Sequence, residues 1–267
     1  MKKLSVIFSL AIALVLSGGF ARAQKFSHEK GTATSVTIQH LPAQIKLTET
    51  SGNKIEIIAE GYEKEPVPEK AKGLKQINTH GEDNTKIGLM MTAHGDNVSF
   101  TGVEKPSGNV IYDFRVPKGM SVKIKNEIPW GSEGLQVKDF SSDLEIKTMN
   151  DDIRLNNVTG PLTINSMNGN ISILFGQVSQ DAPITVTAFN GEIDITMPAQ
   201  TPANLVLSSM NGNIYSDFGL EIEENENDKG FDFVFVGGSN LTGTINKGGV
   251  EMILKAFNDN IYLRKNK

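Results

Sequence analysis

Four carboxylates that fall near the corners of predicted adjacent coils are the residues best placed for chemistry: Asp151, Asp152, Glu192 and Asp194. Carboxylate oxygens are calcium ligands, and an enzyme that acts on acidic polysaccharide would combine a calcium cluster with a basic residue that abstracts a proton. Arg154 follows the first two acids, but no arginine or lysine recurs beside the others, and one arginine near acids usually forms a surface ion pair. A polysaccharide-acting β-helix enzyme is therefore the alternative interpretation.

Two histidines share a sequence context that could bind a metal. His80 and His94 are each followed by glycine and then an acid, and neutral imidazole and carboxylate are zinc ligands. The same residue types are common in turns that end strands, so we expect two turns and no metal site. The chain has no cysteine and no Gly-x-Ser-x-Gly elbow, so no nucleophilic triad is indicated. We expect no catalytic residue and no cofactor.

A short block recurs five times and indicates the elements that would position any site. An apolar residue is followed by Asn, two small or polar residues and Ile, and each block lies between two alternating apolar runs. This pattern predicts strand, sharp corner, strand, repeated along the chain, as in a β-solenoid. The Asn positions are separated by 18, 22, 21 and 47 residues, which predicts consecutive coils with an insertion before the last block.

Equivalent positions in stacked coils lie about 4.8 Å apart, so each position of the block should form a column. We expect the first to form a column inside the core: Met149, Met167, Phe189, Met210 and Phe257. The second tolerates the positive φ of a corner and can form a ladder of hydrogen-bonded amides. These structural corners are Asn150, Asn168, Asn190, Asn211 and Asn258.

The rest of the chain is less regular. We expect an N-terminal β region at 24–125, made of outer strands and irregular first coils, and regular coils at 126–267. An acidic insertion interrupts these coils at 221–230, and an aromatic run follows it. Loops added to a rigid scaffold often carry function. The predicted partner contacts are therefore the acidic and aromatic residues near the insertion and the only tryptophan: Glu223, Glu224, Phe231, Phe233 and Trp130.

The N-terminus has the order of a secretory signal peptide. Two lysines precede an apolar run from Leu4 to Leu16, and small residues lead to expected cleavage after Ala23. The run is shorter than the roughly 20 apolar residues of a membrane-spanning helix, so we expect no integral span after removal of 1–23. The formal charge then falls from −5 to −8, with 23 basic and 31 acidic residues. Because no basic patch stands out, nucleic acid is not expected as a partner.

Several of these elements resemble the bacterial putative-adhesin family of domains of unknown function, which is similar to the head domains of auto-transporter-like adhesins. The resemblance is carried by a unit from Ile45 to Ile57, a Val116-Pro-Lys-Gly119 step, the evenly spaced Asn corners, and a closing unit from Asn246 to Leu263. It implies a right-handed single-stranded β-helix over about residues 33–265. It implies no catalytic or binding residues.

The sequence thus predicts an all-β protein, a right-handed single-stranded β-solenoid with a less regular N-terminal β region. The interpretation for function is an exported, non-enzymatic, adhesin-like binding or structural module at the bacterial cell envelope, in the periplasm or at the cell surface. The expected partner is an envelope protein or a glycan.

Overall fold

The architecture is all-β in the computed structural model, which describes residues 23–74, 77, 79–104, 109–129, 134–222 and 239–266. One short 3-10 helix spans Glu69–Ala71. The first strands are β1 (Gln24–Glu29), β2 (Ser35–Gln39), β3 (Gln44–Thr50), β4 (Lys54–Glu60), β5 (Leu89–His94), β6 (Asn97–Gly102), β7 (Ile111–Pro117), β8 (Ser121–Asn126) and β9 (Leu135–Phe140). The remaining strands are β10 (Leu144–Asn150), β11 (Ile153–Val158), β12 (Leu162–Asn168), β13 (Ile171–Phe175), β14 (Ile184–Asn190), β15 (Ile193–Pro198), β16 (Ala203–Ser209), β17 (Ile214–Ser216), β18 (Glu221–Ile222), β19 (Ser239–Ile245), β20 (Val250–Ala256) and β21 (Ile261–Asn266).

The strands form two sheets that run the length of the stack. Sheet 1 has the order β1-β4-β7-β3-β9-β11-β13-β15-β21-β17, and sheet 2 has the order β18-β19-β16-β20-β14-β12-β10-β8-β2-β6-β5. From β8 to β17 the chain alternates between sheet 2 and sheet 1, and corresponding strands of successive coils from β8 to β15 pair in parallel. Each coil therefore contributes one strand to each sheet, and the expectation of an all-β, solenoid-like architecture is confirmed.

Strict alternation of side chains fills the space between the two sheets. In β10 the buried residues are Leu144, Ile146 and Thr148, and the residues between them point outward. In-register pairing then places equivalent residues of successive coils next to each other, so that Ile146 lies beside Ile164 of β12. Burial of these apolar columns is the main stabilising contribution, because the chain has no disulfide.

The coils do not stack in sequence order, which corrects the expectation of consecutive coils. The coil made by β20 and β21 lies between the coil of β14 and β15 and the coil of β16 and β17. The chain completes the coil of β16 and β17, and β19 then pairs antiparallel with the far side of β16. The coil of β20 and β21 then fills the place beside β14 and β15. The 47-residue gap between Asn211 and Asn258 is therefore an excursion around the end of the stack.

The N-terminal region has a similar exchange of order. The coil of β2 and β3 lies between the coil of β6 and β7 and the coil of β8 and β9. Both sheets therefore include strands from before and after residue 125, where the N-terminal β region was predicted to end. The unit from Ile45 to Ile57 does not turn a coil corner. Its two strands, β3 and β4, both lie in sheet 1, with β7 between them.

Tight corners bring backbone into contact between successive coils. Gly169 and Gly191 follow Asn168 and Asn190 with φ of +120° and +139°, a region that side chains with a Cβ avoid. A Cβ at residue 191 would overlap the carbonyl oxygen of Gly169. The backbone amide of Gly169 also donates to the carbonyl of Asn190 at 2.9 Å. The corner therefore requires glycine for both its dihedral angle and its close packing.

Candidate functional site

The apolar column of the repeated block lies on the surface, which corrects the prediction of a core column. Met167, Phe189 and Phe257 are 50 %, 47 % and 37 % exposed. The reason is the period of a strand: Met167 is three residues after the buried Ile164, and an odd separation points a side chain to the opposite face. Met149 and Met210 occupy the same outward position and are half-buried. The buried position before each is small: Thr148, Ser166, Ala188, Ser209 and Ala256.

The column follows the spatial order of the coils and not their sequence order. The backbone amides of Phe257 and Asn258 donate to the carbonyls of Ala188 and Phe189 at 2.9 and 3.2 Å. The amide of Met210 in turn donates to the carbonyl of Ala256 at 3.2 Å. From one end to the other the column therefore reads Met149, Met167, Phe189, Phe257 and Met210.

Its two phenylalanines stack on each other. The ring centroids of Phe189 and Phe257 are 4.6 Å apart and the ring planes differ by 14°. Along the column, Met167 is the next residue beyond Phe189, and Met210 is the next beyond Phe257. Each ring therefore turns one face to the other ring and the opposite face toward a methionine position, which leaves mainly ring edges toward solvent.

A second row of outward side chains runs beside the column, two residues earlier in each strand. In spatial order it contains Lys147, Asn165, Thr187, Lys255 and Ser208. Between the two rows lies a groove of about 520 Å³ whose floor is the small buried residues. We call it the Met/Phe groove. Its lining is mainly apolar, and Glu127 closes the end beside Lys147, with which it forms an ion pair at 2.7 Å.

On its other side the column is bordered by an amide ladder. Asn168 donates from Nδ2 to Oδ1 of Asn150 at 2.7 Å, and Asn190 donates in the same way to Asn168 at 2.7 Å. Asn258 donates to Asn190 at 2.6 Å, and Asn211 donates to Asn258 at 2.8 Å. Asn150 at the end donates to the carbonyl of Pro129 at 2.7 Å. The five predicted Asn corners thus lie in one hydrogen-bonded line.

The four carboxylates that suggested calcium are each held by different groups. Asp151 is buried and accepts a hydrogen bond from Nδ2 of Asn126 at 3.1 Å, whereas Asp152 accepts from Arg154 at 3.2 Å. Asp194 accepts from Arg264 at 2.8 Å. Glu192 accepts from the Tyr262 hydroxyl at 3.3 Å. Among the residues that the structure describes, no three acids, histidines or cysteines cluster in a way that could hold a metal ion.

The histidines pair differently from the sequence pattern. His80 stacks on His40, with ring centroids 4.6 Å apart and planes differing by 13°, and His94 lies exposed on β5. Partial burial lowers the pKa of His40 from its ordinary value of 6.5, the neighbouring His80 lowers it further, and Glu127 opposes both effects. His40 also has a φ of +55°.

We expect His40 to make the protein less stable in mild acid. The unfolded chain binds a proton at His40 more readily than the native chain, so stability falls as the pH drops through about 6.5. The variant His40→Asn, which tolerates the positive φ, should lose less stability between about pH 7.5 and about pH 5 than the parent does. Urea unfolding at the two pH values measures this difference. An unchanged pH dependence in His40→Asn would contradict the assignment.

The partner contacts predicted near the insertion, Glu223, Glu224, Phe231 and Phe233, lie outside the described residues, as does Trp130. The Met/Phe groove was not predicted from the sequence. The signal was present in the alternation of each strand, because Leu162 and Ile164 predict Ser166 as the next inward residue and hence Met167 as outward.

Part of the chain matches a known family model. The match is to Toastrack DUF4097 and covers residues 131–233. A search of curated protein sequences finds no match.

Two solved bacterial structures are similar to the chain. One is a putative cell adhesion protein from Clostridium sporogenes, with 8 % identity and a TM-score of 0.44 over 92 % of this chain and 100 % of that one. The other is a putative adhesin from Bacteroides fragilis, with 11 % identity and a TM-score of 0.35 over 91 % of this chain and 97 % of that one. Among the described residues, no helix is long and apolar enough to cross a bilayer.

Proposed function

We propose that this protein, in which residues 131–233 match the Toastrack DUF4097 model, is an exported, non-enzymatic, adhesin-like binding module at the bacterial cell envelope. The proposal includes removal of a signal peptide at 1–23, an N-terminal β region at 24–125, and a right-handed single-stranded β-solenoid at 126–267 with an acidic insertion at 221–230. The module holds its partner in the Met/Phe groove. The observation that supports this most is the exposed apolar column along one side of a rigid stack.

This column is exposed and does not add to the core of the protein. The inward positions of these coils are already filled, and the neighbouring outward positions are polar. Contiguous apolar surface on a folded protein typically marks a contact site. Covering such surface is worth about 25 cal/mol per Å². A partner that buries the column therefore gains binding energy from side chains that the fold itself leaves in water.

The alternative, an enzyme acting on polysaccharide, requires a basic residue that faces a carboxylate cluster. Arg154 and Arg264 each pair with one acid on the outer face of sheet 1, and those two acids belong to different coils. Such pairs are typical of a solvated surface. The geometry therefore favours a binding module.

Retention of the mature protein on washed bacterial envelopes tests the proposal. The double variant Phe189→Ser/Phe257→Ser should bind at least about tenfold more weakly, because central aromatic contacts usually dominate an interface. The matched control is Tyr215→Ser: Tyr215 is 50 % exposed and stacks on Tyr262 at 5.3 Å, but it lies on sheet 1. Equal retention of the parent and the double variant, both with unchanged thermal melting, would overturn the proposal.

A further inference from the structure

We infer that the Met/Phe groove binds one extended acyl chain whose acidic head group pairs with Lys255. This inference rests on the proposed function and specifies the chemistry of the ligand. A long-chain fatty acid is the simplest molecule of this kind.

The apolar column forms a stripe on the surface, and the width of this stripe favours a single hydrocarbon chain. Each coil contributes only one apolar side chain, and polar rows border the stripe on both sides: the amide ladder and the row that contains Asn165 and Thr187. An amphipathic helix presents an apolar face at least about 100° wide, which would place apolar groups over these polar rows. A polymethylene chain is as narrow as the stripe.

The length of the stripe also fits. The four residues from Phe257, which lies beside Lys255, to Met149 are spaced by one strand separation each and span roughly 14 Å along the stack. This covers most of the extended hydrocarbon chain of palmitate. Methionine side chains at Met149, Met167 and Met210 suit such a ligand, because the flexible thioether adapts to a smooth apolar chain.

The polar chemistry of the groove argues against a glycan. A sugar ring packs on the open face of an aromatic ring, but Phe189 and Phe257 turn faces to each other at 4.6 Å. A sugar also needs many hydrogen bonds. The amides that border the column already bond to one another, as Asn190 does to Asn168 at 2.7 Å. The groove therefore suits a ligand whose long part makes no hydrogen bonds.

The charges of the groove indicate where the head group lies. Lys147 pairs with Glu127 at 2.7 Å, so these two charges balance at one end. The ammonium group of Lys255 makes no ion pair or hydrogen bond with other described residues, and Lys255 lies beside Phe257 near the other end. Its ammonium group is thus the unbalanced charge of the lining, and its aliphatic stem can cover apolar ligand surface. When the acidic head group pairs with Lys255, the hydrocarbon chain of the ligand extends along the groove toward Met149.

Titration of the delipidated mature protein with palmitate, below the concentration at which it forms micelles, tests this inference. The variant Lys255→Gln should bind palmitate about tenfold more weakly, because a hydrogen bond to a charged group is lost, and should bind hexadecanol as the parent does. Phe189→Ser/Phe257→Ser should lose both ligands. The control Lys123→Gln, which removes a lysine paired with Glu145 away from the groove, should bind both as the parent does.

The results separate this inference from the proposed function. If envelope retention depends on Phe189 and Phe257 but palmitate does not bind, the acyl chemistry is wrong and the binding module stands. Unchanged palmitate affinity in Lys255→Gln overturns the head-group assignment. Binding to anionic vesicles without binding to monomeric palmitate would show a membrane surface as the occupant. A dimer that Phe257→Ser dissociates would show a second copy of the chain there. Either of these last two results overturns the inference.

Discussion

Replacing Gly191 with alanine should reduce the free energy of unfolding by about 3 kcal/mol or more. The residue has a φ of +139°, which strains any side chain, and the added Cβ would overlap the backbone carbonyl of Gly169 in the adjacent coil. Backbone cannot rotate away as a side chain can. Relief of this overlap therefore requires the two coils to separate, which also lengthens the hydrogen bond between the side-chain amides of Asn190 and Asn168. Urea unfolding of the variant and the parent measures the loss.

A matched control separates this effect from the general replacement of glycine. A methyl group at Gly219 would have no neighbouring atom within 4 Å, and the φ of this residue lies outside the left-handed region. Gly219→Ala should therefore change the stability by no more than about 0.5 kcal/mol. Equal effects at both glycines would show that the corner is less tightly packed than the structure indicates.

Replacing Ile164 with alanine should cost about 2–5 kcal/mol, because its side chain is fully buried between Ile146 and Val186 in the column of the core. Met167 lies three residues later on the same strand and is 50 % exposed. Met167→Ala should cost about 1 kcal/mol or less, because half of the Met167 surface is already in contact with solvent in the folded protein. Denaturant unfolding of both variants and the parent measures the two losses in free energy of unfolding.

This pair of variants decides which face of β12 is inward. The two residues share a strand, a sheet and the same neighbouring coils, so a difference in their effects reports only the direction of the side chain. A cost at Met167 as large as that at Ile164 would place the methionine in the core and would remove the basis for the Met/Phe groove.

The repeated block predicts much of the fold because its signals are local. Alternation predicts the strands on each side of Asn168, and the need for positive φ explains the glycine that follows. The amide line follows from equal residues at equal positions of stacked coils.

Two features could not be obtained in the same way. The outward direction of Met167 is encoded by the alternation, but hydrophobicity alone favours a core position, and the two criteria conflict at this residue. The place of the coil containing Asn258 depends on pairing between β20 and β14, a contact between distant segments that no local pattern specifies. Spacing gives the number of coils that fit, and not the order in which they stack.

The exchanged order of the coils has a consequence for how the protein is made. Residues 203–216 leave the ribosome before 250–264, yet the neighbours that they need on one side are supplied only by the later segment. If β16 docked directly on β14, it would occupy the place of β20 and produce a misfolded end. Synthesis proceeds at about 5–20 residues per second, so this part of the chain must wait a few seconds with one edge uncovered. Its correct assembly is therefore a step that follows translation of the whole stack, and until then the uncovered strand edge is open to aggregation.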